Sequence, residues 1–177
     1  MGCQTVPIIQ ELQTKRNLVL SRPAAGNVKK MKKQDFQISI TVDAAPRNVF
    51  KKISRVSKWW AEDLEGSSQE LNDEFTVRFG DVHFSRQKLV EVIPDKKLVW
   101  LVTDSRLNFI EDKQEWTNTK IIFELSVNKN KTQIDFTHVG LVPNVECYHA
   151  CAKGWEHYIS GSLFKLLTEG KGTPGLK

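Results

Sequence analysis

Apolar and polar residues alternate without a break from Phe36 to Val42 (FQISITV), the pattern of a half-buried strand. The same period of two returns later in the chain. Phe75, Val77 and Phe79 alternate within Glu74–Gly80, and Val82–Ile93 follows a tight turn at Gly80 and Asp81. Pro94 and Asp95 turn the chain into Lys97–Thr103, which is apolar on both faces. Ile121, Phe123, Leu125 and Val127 alternate in Thr119–Val127, Asn128–Asn130 reads as a hairpin turn, and Ile134, Phe136 and His138 alternate in Thr132–Gly140. Between the first strand and the others, Pro46 suits the first position of a short helix with Val49, Phe50 and Ile53 on one stripe. A second short helix from Ser57 is expected to hold Trp59 and Trp60. Gly66–Asp73 reads as a polar loop and Asp104–Thr117 as a longer mixed connection.

The period then changes. Between Asn144 and Glu169, Tyr148, Cys151, Trp155, Ile159, Ser162, Leu163 and Leu166 recur at three- and four-residue steps, one stripe of a long helix. Asn144 is the expected N-cap, Glu146 sits in the first turn, and Gly170 with Pro174 marks the end. Gly154 and Gly161 lie inside, each costing roughly 1 kcal/mol against Ala. Close approach of another backbone is the expected compensation.

Short links between consecutive strands mean antiparallel neighbours. The predicted class is α+β: a curved antiparallel sheet of about six strands wrapped around a long C-terminal helix, with two short helices after the first strand. A bent sheet and a rod meet imperfectly, so a cavity between them is expected.

Composition sharpens this picture in two places. The net charge of +5 belongs to the start of the chain, where Lys15, Arg16, Arg22, Lys29, Lys30, Lys32 and Lys33 face only Glu11. The remainder is close to neutral, which argues against a nucleic-acid-binding core. Residues 1–34 read as a basic leader with a short amphipathic segment at Ile8, Ile9 and Leu12 and a linker at Arg22–Asn27, followed by a domain over 35–172 and a tail over 173–177. The apolar pieces of the leader are too short for a secretory signal, and Val6 stands where a myristoylation pattern needs Ser or Thr. No run approaches the ~18 apolar residues of a membrane span. The three cysteines make no disulfide framework, and a reducing, cytoplasmic setting is expected.

The order of motifs carries a resemblance. Thr41–Phe50 (TVDAAPRNVF), the Trp59-Trp60 pair, Val90–Pro94 (VEVIP), Leu98–Trp100 (LVW), Glu115–Thr117 (EWT), Phe136–Leu141 (FTHVGL) and Gly154–Tyr158 (GWEHY) resemble the START-like, birch-pollen-allergen-like superfamily (SRPBCC) with its helix-grip fold. The subgroup they are most similar to is the C-terminal domain of the heat-shock-protein-90 ATPase activator in its stand-alone form. The resemblance covers about residues 35–170. It implies the fold. Its wider relatives include lipid carriers, hormone receptors, cyclases and co-chaperone domains, so it leaves the function open.

The candidate chemistry is a greasy cavity. The chain is rich in rings, with Phe109 and Trp116 in the mixed connection beside those of the strands and helix. The set of large rings, with strand parity and the helix stripe, nominates as its lining Trp59, Phe79, Trp100, Phe123 and Phe136 from one side, and Tyr148, Cys151, Trp155 and Tyr158 from the other. Trp100 is the weaker wall residue because its strand is apolar on both faces. His138 shares a face with Phe136, either as a core histidine with its hydrogen bonds satisfied or as a group that orients a ligand. Cys147, His149, Cys151 and His157 lack zinc spacing, so no metal and no cofactor are expected. No nucleophile–base–orienter set is visible, and Glu115 beside Trp116 is the best candidate for a buried acid. The leading expectation is a non-enzymatic binder of a hydrophobic or aromatic small molecule, as a monomer or homodimer. The alternative is a co-chaperone-like interaction module, and the third a cyclase- or hydrolase-type enzyme with His138 as acid/base.

Overall fold

A computed structural model of the chain describes residues 34–175. The expectations for the basic leader, its amphipathic segment and its linker lie outside the described residues, as do the last two positions of the tail.

The alternating stretches become strands. They are β1 (Phe36–Val42), β2 (Asp63–Gly66), β3 (Glu74–Phe79), β4 (His83–Ile93), β5 (Lys97–Leu107), β6 (Lys120–Asn128) and β7 (Lys131–Val139). They form one antiparallel sheet in the order β1-β7-β6-β5-β4-β3-β2. Hairpins connect β3 to β4, β4 to β5 and β6 to β7, a longer connection (108–119) joins β5 to β6, and β1 closes the far edge by pairing Phe36 with His138 and Val42 with Thr132. The β6–β7 turn uses Lys129 and Asn130 at φ 49° and 67°, the double left-handed geometry that matches strand twist.

The sheet has seven strands rather than about six. The extra one, β2, is four residues long and mostly exposed, so no alternation betrays it. It ends at Gly66, where φ is +94° and any Cβ would collide with the Glu74 carbonyl. β5 runs to Leu107, past the expected end at Thr103, because Ser105 faces inward and is satisfied by the Thr117 hydroxyl (2.9 Å). A polar residue on an inward parity hid the continuation. Val90 is the extra residue of a bulge in β4, between Leu89↔Trp100 and Glu91↔Val99.

Helix α1 (Pro46–Ile53) starts on proline and buries Val49 and Ile53. One 3-10 turn (Val56–Lys58) then delivers Trp59 and Trp60 into the interior. The C-terminal helix is continuous from Tyr148 to Glu169: α2 (Tyr148–Glu156), a π-helical segment (His157–Leu163) and α3 (Phe164–Glu169). In the wider turn the Phe164 N–H reaches back five residues to Ile159 O. Gly170, at φ +81°, stops the helix.

The helix start differs from expectation. Asn144 is not the cap; residues 142–147 form turns, and Cys147 precedes the first helical residue without a side-chain cap. The cap comes from elsewhere in the chain. The Glu115 carboxylate accepts from Glu146 N (2.7 Å) and Cys147 N (2.8 Å) at the positive end of the helix dipole. The candidate buried acid is thus a half-buried capping group. The glycines differ too: a Cβ at Gly154 or Gly161 would meet nothing within 4 Å, so no backbone presses on either. The close approach occurs at Gly172, against the Lys58 carbonyl. Residues beyond it are held by Thr173 N to Ser162 Oγ (2.7 Å) and Gly175 N to Trp60 O (3.0 Å).

Replacing Glu115 with Ala strands two amide donors at the helix start. A loss of about 1–2 kcal/mol in urea unfolding is expected, with Glu115→Gln retaining part of it because one amide oxygen still accepts.

Candidate functional site

The space between sheet and helix is mostly solid. The Trp60 and Trp100 rings stack at 6.1 Å and 4°, Trp60 meets Trp155 at 4.9 Å, and Trp59 stacks on both Trp60 and Trp100. Phe123 and Phe136 fill the floor, Phe123 edge-on to Trp100 and the two phenyl rings edge-on to each other. Each buried ring removes on the order of 150–250 Å² from water, so this slab dominates the core energetics.

Room remains at one end. Where the β3–β4 turn, the β5–β6 connection and the first turns of the C-terminal helix meet, a cavity of about 290 Å³ opens. The sheet side supplies Phe79, Val82 and His83, the connection supplies Phe109 and Trp116, and Trp60 forms the back. The helix side supplies Ala150, Cys151, Gly154, Trp155 and Tyr158. Val82 and Phe109 stand at its rim, 48 % and 44 % exposed. The open space over Gly154 is this cavity, which gives a physical reason for a glycine within a helix.

Of the residues nominated from sequence, the structure brings Phe79, Cys151, Trp155 and Tyr158 together around the cavity. Trp59, Trp100, Phe123, Phe136 and His138 lie behind it in the packed core, and Tyr148 lies half-buried on the first helical turn against His149. The wall residues that sequence reasoning passed over as lining are Trp60, Val82, His83, Phe109, Trp116, Ala150 and Gly154. His83 carried a usable signal, because it shares the inward parity of Ser85, Gln87 and Leu89.

The two inward histidines differ. His138 is fully buried and its Nδ1 accepts the Trp155 indole N–H (2.9 Å). Its Nε2 must then carry the proton, which it donates to Thr119 Oγ1 (2.9 Å); Thr119 in turn donates to Trp116 O (2.5 Å). Burial, and secondarily the neighbouring His83, lowers its pKa to about 3. Both nitrogens are taken, so this is a satisfied core histidine. His83 is half-buried at the cavity wall, edge-on to Phe79 (5.5 Å) and Trp116 (4.8 Å). Its Nε2 lies 2.9 Å from Ser85 Oγ, and burial lowers its pKa to about 4.

Trp116 ties the wall together. It stacks on Trp155 (5.7 Å, 10°), meets the edges of both histidines, and donates its N–H to Cys147 Sγ (3.3 Å). The Cys147 thiol is held protonated, first by its hydrogen bond with Cys151 and then by burial. Tyr158 stacks on Phe79 (5.6 Å) and donates to Gly175 O (3.1 Å), with burial raising its pKa to about 12. Among the described residues no group of three His, Cys, Asp or Glu converges to hold a metal.

A second groove, about 710 Å³, collects Lys52, Arg55, Lys58 and Lys171 near the ends of α1 and α3. Lys52 Nζ donates to Leu166 O (2.8 Å), a cation placed on the negative end of a helix.

No protein-family model and no curated protein matches the sequence. Solved structures do. The Aha1 dimer from Colwellia psychrerythraea is similar over 78 % of this chain and 99 % of its own, with a TM-score of 0.64 and 23 % identity. The protein SSP2350 from Staphylococcus saprophyticus is similar over 81 % of this chain and 98 % of its own, at 0.60 and 14 %. DynU16, from the dynemicin biosynthetic locus, is similar over 78 % of this chain and 49 % of its own, at 0.55 and 17 %. The chain has the START-like helix-grip fold.

The neutral histidines set the acid limb of stability. Their folded pKa values lie below the ordinary 6.5, so between about pH 6.5 and about 3 (His138) or 4 (His83) the unfolded chain binds more protons. Stability is full above that window and falls with pH inside it, by up to about 1.4 kcal/mol per pH unit for each histidine. Urea unfolding at stepped pH is expected to show a shallower limb in His138→Gln than in the parent.

Proposed function

We propose that this START-like domain binds a compact, neutral, aromatic or apolar small molecule in the end cavity. The observation that supports this most is the wall itself: a nearly continuous ring of aromatic and aliphatic surface, left open where the helix carries Ala150 and Gly154. At about 290 Å³ the volume sits at the small end of ligand sites, which favours one or two rings over a long acyl chain. Burying about 200 Å² of apolar ligand surface at about 25 cal/mol per Å² supplies about 5 kcal/mol before association costs. The hydroxyl paired with His83, Ser85 Oγ, is fully buried behind the wall and outside the cavity lining, and both nitrogens of His138 are taken, so binding is preferred over turnover. The free thiols of Cys147 and Cys151 fit a reducing, cytoplasmic setting. Among the described residues no helix is long and apolar enough to cross a membrane.

The similarity to the Aha1 dimer favours a second reading, a co-chaperone-type interaction module acting on a chaperone of the heat-shock-protein-90 kind, as a monomer or a homodimer. Pull-down against the host chaperone and an assay of its ATPase separate this role from ligand carriage.

Native mass spectrometry of protein purified from its own host is expected to show a co-purified small molecule. Gly154→Ala should raise stability by about 1 kcal/mol, since helix propensity improves and nothing is struck. Gly154→Phe should fill the cavity and abolish co-purification with the fold intact. Unchanged ligand content in Gly154→Phe would sink the proposal.

A further inference from the structure

Three consecutive inward positions of β4 are polar: His83, Ser85 and Gln87, the last two fully buried. The Gln87 amide is satisfied in one orientation, with its nitrogen toward Phe75 O (3.1 Å) and Ser85 O (3.3 Å) and its oxygen 2.5 Å from Ser85 Oγ. Direction then propagates. Ser85 Oγ must donate to Gln87, so its lone pair receives the proton of His83 Nε2. The chain Phe75 O ← Gln87 ← Ser85 ← His83 fixes the histidine as its Nε2–H tautomer. Nδ1 is left with a lone pair and no partner among the described residues, on a ring that lines the cavity. Burial holds the ring neutral at ordinary pH, so the lone pair persists.

The other polar atoms of the ring wall are mostly engaged elsewhere. The Trp116 and Trp155 N–H groups go to Cys147 Sγ and His138 Nδ1, and the Tyr158 hydroxyl goes to Gly175 O. The Trp60 N–H has no partner among the described residues, but it is a donor. We infer that His83 is the specificity-determining acceptor of the cavity, selecting compact aromatic ligands that carry a hydrogen-bond donor, a phenolic O–H or an indole-type N–H, over isosteres that lack one. This rests on the reading of the cavity as a ligand site. A ligand without a donor covers Nδ1 and leaves it unpaired, and sites built this way reject such analogues strongly.

The test uses the full chain with 2-naphthol and 2-methoxynaphthalene. Both offer two rings and an oxygen acceptor, which serves Trp60 equally; only the first offers a donor. Calorimetric titration is expected to give naphthol an advantage of roughly tenfold or more. In His83→Phe, which keeps a ring at the wall, that advantage should collapse toward unity, with the ether binding more tightly than to the parent because no lone pair is left uncovered beneath it. A preference caused by the bulk of the methyl group would survive this variant and overturn the inference. Ser85→Ala supplies a second arm: it retains the imidazole but removes the acceptor that fixes its proton, and should erode the preference. Independently of ligand, ¹⁵N spectra should report the Nε2–H tautomer, with the Nδ1 resonance moving when naphthol is added. A Nδ1–H tautomer, or equal binding of the two compounds to the parent chain, overturns the role of His83 and leaves the cavity reading standing. Binding of neither compound overturns both.

Discussion

The stack of indoles between sheet and helix sets the spacing of the whole molecule. Trp100 projects from β5, Trp155 from the helix, and Trp60 lies between them, parallel to the first at 6.1 Å and tilted on the second at 4.9 Å. A flat ring has few ways to fill a gap of fixed height, so the slab acts as a spacer. It comes with a desolvation cost: the Trp100 N–H is buried with no partner among the described residues. Stacking and area burial outweigh that loss, since a fully buried indole removes far more surface than one N–H can penalise. The slab also explains where the expected cavity lies. Rings occupy the centre, and only the end where they stop stays open.

What bounds that end is held from a distance. Glu115 fixes the start of the helix from the β5–β6 connection, and the next residue, Trp116, offers the backbone carbonyl that receives Thr119. Helix and connection therefore move as one wall, with Trp116 stacked on Trp155 across the joint. The π-helical segment begins just beyond, at His157, and its wider turn presents Tyr158, Ile159, Ser162 and Leu163 together to the interior. Tyr158 thereby reaches Phe79 on the opposite sheet edge and closes the cavity's far side.

The fold was largely legible because burial on one face writes itself as alternation. β1, β3, β6 and β7 show it plainly, and the three- and four-residue steps after Tyr148 show the helix. Where one face is not apolar the signal fails: β2 is short and half-buries only Leu64, and the last third of β5 buries Ser105. Asn144 looked like a cap because local chemistry allowed it, whereas the true cap lies 31 residues before Glu146 in sequence and is visible only in space. The site was less legible than the fold. Trp59 and Trp60 follow a 3-10 turn, where no period assigns one ring to the core and the other to the cavity wall. Gly154 read as a contact point for another backbone; a missing side chain looks the same in sequence whether the space is filled or empty.

The contrast between His83 and His138 shows what separates a structural residue from a functional one in such an interior. Both face inward, both pack against Trp116, and both are kept neutral by burial. His138 is gripped at each nitrogen, by an indole donor on one side and a threonine acceptor on the other, so it can only hold β7, the connection and the helix together. His83 is gripped at one nitrogen, by a directional chain that ends on a backbone carbonyl. Burying Ser85 and Gln87 merely to anchor a histidine would be costly, because an aliphatic pair on the same strand face would pack as well without desolvating two polar groups. The chain is economical only if the orientation it imposes matters, and what it orients is a lone pair in an otherwise apolar cavity.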